Sequence, residues 1–389
     1  MVFNASCDVA SLYIHWPFCP YKCHFCPFVA LASHDEYMGQ YHRALTKEIM
    51  LYGEYANKVP IKTIFFGGGT PSTYPPDLLL DTFGILKSTF ELDATCEITL
   101  EVNPGTVTQE KIQAWKRAGI TRLSIGVQSL NNTVLSSLNR HQKAADVIEL
   151  LNQAAPHFQV LSVDLILGLP GISLSEWQEL IKTAVGWPIK HISVYFLTVH
   201  EDTPLYYGVA RKKIKLPTDD VMVDTYHWTA QVLEEHGFMQ YEISNFARNG
   251  FESRHNSVYW KRLPYKGFGM GACSFDGTSR FQTEKNLMNY LNIVEKANSM
   301  QELEKLSIVS EMLTENQVWI EELMLGLRQK NGISWSVLHE KLSPEKLEFF
   351  KSKIDEFVGL GYIINDQQRF WLTTVGRAVE NEIVVALLE

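Results

Sequence analysis

Cysteine is scarce: six in 389 residues, unevenly placed, which excludes a disulfide-stapled secreted scaffold. Positive charge is scarce too. Thirty-five Lys and Arg stand against 44 Asp and Glu, a formal charge of −9, so no basic face for nucleic acid is expected. No apolar run approaches the roughly eighteen residues of a membrane span. The first fifteen residues lack the charged start and apolar stretch of a signal peptide. These absences predict a cytoplasmic protein of a reducing compartment, without a transmembrane segment. What the chain has in quantity is apolar material, 46%, enough for the cores of two or three domains.

Half of the cysteines are crowded together. Cys19, Cys23 and Cys26 lie in the run Trp16-Pro17-Phe18-Cys19-Pro20-Tyr21-Lys22-Cys23-His24-Phe25-Cys26-Pro27. Closed zinc and iron–sulfur sites take four protein ligands. Three thiols with no fourth nearby therefore predict a metal centre with one open position. A zinc site completed by Cys96 or a histidine is the structural alternative. Cys7, Cys96 and Cys273 read as packed or surface thiols.

β-Branched and aromatic runs alternate with amphipathic stretches, the pattern of repeated βα units. Strands are predicted at Leu12–Trp16, Thr63–Phe66, Glu97–Val102, Arg122–Val127, Leu161–Leu167 and His191–Leu197. Helices are predicted at His34–Tyr55, Pro76–Phe90, Gln109–Ala118, Ala144–Ala154, Ser175–Gly186 and Thr218–His236. The fold class is α/β, a parallel sheet or partial six-stranded (β/α) barrel over residues 1–240. Residues 241–310 read as a substrate-binding extension: a Gly-, Asn- and aromatic-rich loop over a binding site from Tyr241 to about Phe281, then a connecting helical segment from Asn286 to Met312. Residues 311–389 read as a small winged-helix-like α+β domain. Acidic residues outnumber basic ones there, so packing or covering a site is expected rather than DNA binding.

Active residues of βα barrels gather where strands end. Cys19 follows the first strand and Gly67-Gly68-Gly69-Thr70-Pro71-Ser72 the second. Glu101 and Gln128 close the third and fourth, and Asp164 lies on the fifth. One shared site on one rim is the consequence. The glycine run offers close backbone approach and bare N–H groups to an anion, or it is only a tight turn. Glu101 and Asp164 are either satisfied structural acids or partners of a cationic ligand bearing hydroxyls.

Cys-x-x-x-Cys-x-x-Cys after a first strand resembles the radical S-adenosylmethionine superfamily. That resemblance implies a [4Fe–4S] cluster on Cys19, Cys23 and Cys26, with S-adenosylmethionine on the fourth iron. Tyr13-Ile14-His15-Trp16-Pro17-Phe18-Cys19, the glycine run, Glu101-Val102-Asn103-Pro104-Gly105, Ser124-Ile125-Gly126-Val127-Gln128-Ser129 and Asp164-Leu165-Ile166-Leu167-Gly168-Leu169-Pro170 are similar to the oxygen-independent coproporphyrinogen III oxidase family. The family's cofactor contacts would fall on Tyr13, Gly68, Gly69, Thr70, Glu101, Gln128, Arg140 and Asp164.

Two branches of that family differ at positions visible here. The oxidative decarboxylases carry a further cysteine where this chain has Phe28, and a longer N-terminal arm. The heme chaperone branch lacks both and carries His-Asn-x-x-Tyr-Trp, present as His255-Asn256-Ser257-Val258-Tyr259-Trp260. The resemblance thus implies heme or porphyrin as ligand of the 241–310 extension, with His255 as axial ligand and Tyr259 and Trp260 covering the macrocycle. It implies a heme-receiving apo-protein and a reductant for the cluster as partners, and leaves room for a homodimer and peripheral membrane contact. Porphyrinogen decarboxylation is the rival activity; methyl transfer or heme degradation is a third. Pro27, Ser253 and Cys273 depart from the branch's usual aspartate, cysteine and histidine. No catalytic residue is assigned.

Overall fold

The computed structural model describes residues 3–4 and 7–388. Its main sheet has nine strands: β1 (Ser11–Trp16), β2 (Ile61–Gly68), β3 (Leu92–Val102), β4 (Arg122–Gln128), β5 (Val160–Leu167), β6 (His191–Phe196), β7 (Met239–Gln240), β8 (Asn245–Ala247) and β9 (Lys266–Phe268). They run in the order β9-β1-β2-β3-β4-β5-β6-β8-β7. β1 to β6 are successive parallel neighbours, as expected of βα units. The first and last strands of the order do not pair, so the barrel is partial.

Alternation along the strands sorts the side chains. Leu12, Ile14, Trp16, Ile64, Phe66, Leu100, Leu123, Ile125, Val163 and Leu165 are fully buried beneath the helices. Their neighbours Tyr13, Phe65, Glu101, Ser124 and Asp164 point the other way and line the lumen. This is why acids can sit within apolar strands. Helices Gln109–Ala118 and Ala144–Ala154 match the sequence reading. The former starts where the Thr108 side chain accepts from Lys111 N–H and ends at Gly119 with φ 92°.

Residues 241–310 are not the loop expected. Two of their short strands extend the sheet beyond the six parallel strands: β8 is antiparallel to β6, and β9 is parallel to β1. Arg254–Trp260 is a helix. Cys273–Phe275, Ser279–Thr283 and Ser307–Met312 make a separate three-stranded antiparallel sheet, so the expected helical connection ends as a strand. Three-residue strands are too short to show a period. Phe246, Phe268, Tyr290 and Leu306 belong to the same core as Leu12 and Val163, so packing has no break at residue 240.

The C-terminal unit has its own core, from Leu323 to Leu387. Its three-stranded sheet orders Ile333–Ser334, Arg369–Leu372 and Ile363–Asn365 beside helices Glu315–Arg328 and Pro344–Gly359, a winged-helix-like arrangement. It docks through charge. Arg328 lies 2.6 Å from the fully buried Glu242 and 4.4 Å over the Trp260 ring.

Candidate functional site

Trp16 anchors the end of β1 by stacking on Tyr74 at 3.6 Å and donating Nε1–H to Thr73 Oγ1 at 2.9 Å. The chain then pairs Phe18–Cys19 with Leu31–Ala32, closing a loop that carries Cys23 and Cys26. His15 fastens that loop from below. Its Nε2 donates to Val29 O at 2.9 Å, so its Nδ1 accepts from Tyr13 Oη at 3.1 Å. Burial pushes the His15 imidazole down to about 4, keeping it neutral. The sequence reading overlooked His15.

All three thiols line one cavity of about 650 Å³. Cys19 Sγ contacts Thr70 Oγ1 at 2.9 Å, and Cys23 Sγ accepts from Arg140 Nη1 at 3.7 Å. Burial pushes the Cys23 and Cys26 thiols up, against the opposing pull of Arg140 on Cys23. Among the described residues no three His, Cys, Asp or Glu side chains converge on a single-ion site. A cluster takes one thiolate per iron, so its ligands need not meet at a point. The donor set suits a multi-iron group with one iron left to another ligand, not zinc.

The glycine run is spent differently from expectation. Gly69 N–H goes to Trp16 O and Thr70 N–H to Phe18 O, both at 2.9 Å, while Gly68 N–H goes to Glu101 Oε2 at 3.2 Å. The Gly69 and Thr70 N–H groups seat the cysteine loop, while that of Gly68 meets a carboxylate of the cavity wall. Gly68 itself has φ 119°.

Glu101 is half-buried on the cavity wall; desolvation first, and Asp164 second, push its carboxyl up to about 8 against the lowering contact from Gly68. Burial also raises Asp164, although Ser124 Oγ donates to it at 2.9 Å. The folded state therefore holds protons that the unfolded chain releases above its ordinary pKa of 4.5. Stability from Glu101 is full below that value and is lost as pH rises through about 8. Glu101→Gln should match the parent's melting temperature near pH 4.5 and exceed it by a few degrees above pH 8. Melts across pH check this; a difference that does not grow with pH would refute it.

Arg140 is held by Gln142 Oε1 at 2.9 Å and Gly126 O at 2.5 Å. Gln128, at φ 64°, sits at a register shift in β4, and its side chain lines the cavity, as Tyr13 does. The structure thus brings together the eleven expected cluster and cofactor residues.

The expected heme residues divide. His255 and Tyr259 line the cavity, but Trp260 does not; it faces Arg328 of the C-terminal unit. His255 is fully buried with both ring nitrogens engaged, Nδ1 with Thr63 Oγ1 at 2.8 Å and Nε2 with Tyr259 Oη at 2.9 Å. It stacks on Phe65 at 5.1 Å, and burial pushes it down to about 3. For His255 to serve as the expected axial ligand, Tyr259 or Thr63 would have to let go. Cys273, read as a packed or surface thiol, is exposed.

Phe28 and Asn256, noted only as motif positions, also line the cavity, and Phe25, Arg122, His191 and Tyr195 were assigned no role. The period-two alternation Arg122, Ser124, Gly126, Gln128 was the signal that could have found Arg122.

A partial βα barrel with three thiols on its rim defines a radical S-adenosylmethionine scaffold. The Radical SAM superfamily model matches residues 13–184 and the HemN C-terminal domain model residues 313–379. Heme chaperone HemW of Bacillus subtilis is 33% identical over 97% of this chain and 99% of its own length. That of Synechocystis is 34% identical over 86% of this chain and 82% of its own. A mitochondrial radical S-adenosyl methionine domain-containing protein 1 from Danio rerio is 31% identical over 97% and 87%. The chain belongs to the HemW family of the radical SAM superfamily. The fold is that of Escherichia coli coproporphyrinogen III oxidase HemN, with TM-score 0.82 and 23% identity, covering 99% of this chain and 91% of that one. Membership implies a [4Fe–4S] cluster and S-adenosylmethionine. No helix among the described residues is long and apolar enough to cross a membrane.

Proposed function

We propose that this protein is a heme chaperone that carries heme beside a [4Fe–4S] cluster and passes it to apo-proteins in the cytoplasm. The observation carrying this reading is near full-length similarity to proteins named heme chaperone HemW. It agrees with Phe28, exposed at the cavity mouth, standing where the decarboxylases have a further cysteine.

Cys19, Cys23 and Cys26 would hold the cluster, which supplies an electron and an open iron. Thr70 and Arg140, already at the Cys19 and Cys23 sulfurs, would steady the thiolates by charge and hydrogen bonding. Glu101, Asp164 and Gln128, beside Tyr13, Gly68 and Gly69, would receive the ribose hydroxyls and sulfonium of S-adenosylmethionine. Ionising either acid beside a cation removes the cost of burying it. Apolar side chains at the mouth, Phe25, Ile166, Phe196 and Leu197, offer a surface for a macrocycle, with His255 and Tyr259 as the deeper wall. A reductant and a receiving apo-protein complete the proposal. A homodimer or peripheral membrane contact is compatible with it.

The test is anaerobic cluster reconstitution followed by two assays on one sample. Heme titration should give a saturable Soret shift, and the bound heme should pass to apomyoglobin. Coproporphyrinogen III with S-adenosylmethionine and dithionite should give no protoporphyrinogen. Turnover, or steady loss of heme with S-adenosylmethionine, would overturn the chaperone reading.

A further inference from the structure

At about 3.3 Å per residue, β4 carries the lumen on the order of 20 Å from Gln128 at the rim down to Arg122. That is deep enough for a rim cofactor with a second ligand beneath it. The two ends differ in character. The mouth is apolar, the middle holds Glu101 and Asp164, and the deep end holds Arg122, His191, Ser193, Ser253 and Asn256.

Arg122 is 3% exposed and faces the cavity. Its Nη1 donates to Phe251 O at 3.1 Å, its one side-chain hydrogen bond within the described residues. No carboxylate lies within 4.0 Å of it, whereas the half-hidden Arg328 has Glu242 and Arg262 has Glu321. Burying a cation without a counter-charge is costly, and the cost is recovered when an anion arrives. The nearby polar groups cannot provide one. His191 is committed to Ser162 Oγ at 2.7 Å and Tyr241 Oη at 2.8 Å, and Tyr241 Oη also accepts from Ser253 N–H at 3.2 Å. Asp164 feels the Arg122 charge but makes no ion pair with it within 4.0 Å; it lies closer to the rim and is held by Ser124 and Ser193.

Asn256 supplies a second unspent donor. Its backbone N–H is capped by Ser253 Oγ at 3.2 Å and its helix start is held by Glu97, which accepts from His255 N–H at 2.9 Å. Its side-chain amide makes no hydrogen bond among the described residues and lines the cavity. A guanidinium edge and an amide N–H facing one cavity are the donors that a carboxylate takes up.

We propose that Arg122 and Asn256 form a carboxylate seat at the deep end of the cavity, which takes one propionate arm of the bound tetrapyrrole. This rests on the heme-carrying reading and orients the macrocycle: carboxylate edge inward, apolar edge toward Phe25 and Leu197.

The test compares heme with heme dimethyl ester, whose propionates are masked, by Soret titration of the reconstituted full chain. The parent should bind heme roughly tenfold more tightly than the ester, the scale of a charge-assisted hydrogen-bonded pair. Arg122→Gln should bind both compounds alike, with ester affinity within about twofold of the parent's. A parent that binds both equally, or an Arg122→Gln variant that keeps the full preference, overturns the seat. Should that variant fail to fold by circular dichroism, Asn256→Ala decides instead. A preference cut at least about threefold supports the seat, and an unchanged one refutes it. No Soret change with either compound in the parent is a different result, the failure of the heme reading itself.

Discussion

Cys23→Ser should abolish the cluster while leaving the fold intact. Cys23 is one of only three thiols on the cavity wall, and its sulfur sits beneath the Arg140 guanidinium. A serine oxygen is a harder, more basic ligand than thiolate and a poor match to iron–sulfur chemistry. With two thiolates left, a cubane would have two irons without protein ligands. Iron and sulfide per chain after anaerobic reconstitution should fall below roughly a tenth of the parent value, with the broad visible absorbance gone. The fold should persist because the loop is closed by other means: pairing of Phe18–Cys19 with Leu31–Ala32, and the His15 bond to Val29 O. A variant retaining half of the iron would refute this ligand assignment.

Gly69→Ala should be the most damaging of single-methyl additions near the site. A Cβ there would stand 2.3 Å from Pro17 O, 2.6 Å from Pro17 C and 2.8 Å from Phe18 O. All three are backbone atoms, so no side chain can rotate away. Relief requires prising β2 from the cysteine loop and breaking the Gly69–Trp16 and Thr70–Phe18 hydrogen bonds. We expect a loss of about 3 kcal/mol or more and a lowered cluster yield. Gly84→Ala provides the contrast. It lies on the exposed face of helix Pro76–Thr89, where an added Cβ meets nothing within 4 Å. It should gain about 0.5–1 kcal/mol from helix propensity. Denaturant unfolding of both variants measures this, and equal midpoints would sink the steric account.

The parts of this molecule that were legible in the sequence are those set by local pattern. Val163-Asp164-Leu165-Ile166-Leu167 reads as a buried parallel strand because both of its faces are covered, and Asp164 stands out within it. Thr108 and Gly119 bracket a helix without reference to anything distant. The cysteine spacing and glycine run mark the rim for the same reason. What escaped depends on partners far along the chain. Lys266–Phe268 is too short to announce a strand, and it becomes one only because β1 lies open beside it. His255 looks like a free imidazole until Thr63, 192 residues away, takes its Nδ1. Trp260 shares a motif with His255, yet the helix turns it to the opposite side, toward Arg328. Spacing shows that residues belong together, not which cavity each one faces.

The Glu242–Arg328 contact has a thermodynamic corollary. The carboxylate is wholly enclosed in the docked chain, and its counter-charge comes from the C-terminal unit. Undocking that unit breaks this pair, and breaking a buried ion pair costs on the order of a few kcal/mol. Intermediates with one unit melted and the other intact are therefore scarcely populated. Although built on two cores, the chain should unfold in one calorimetric step, and a version cut back to the barrel should be a poorer folder than its own large core would suggest.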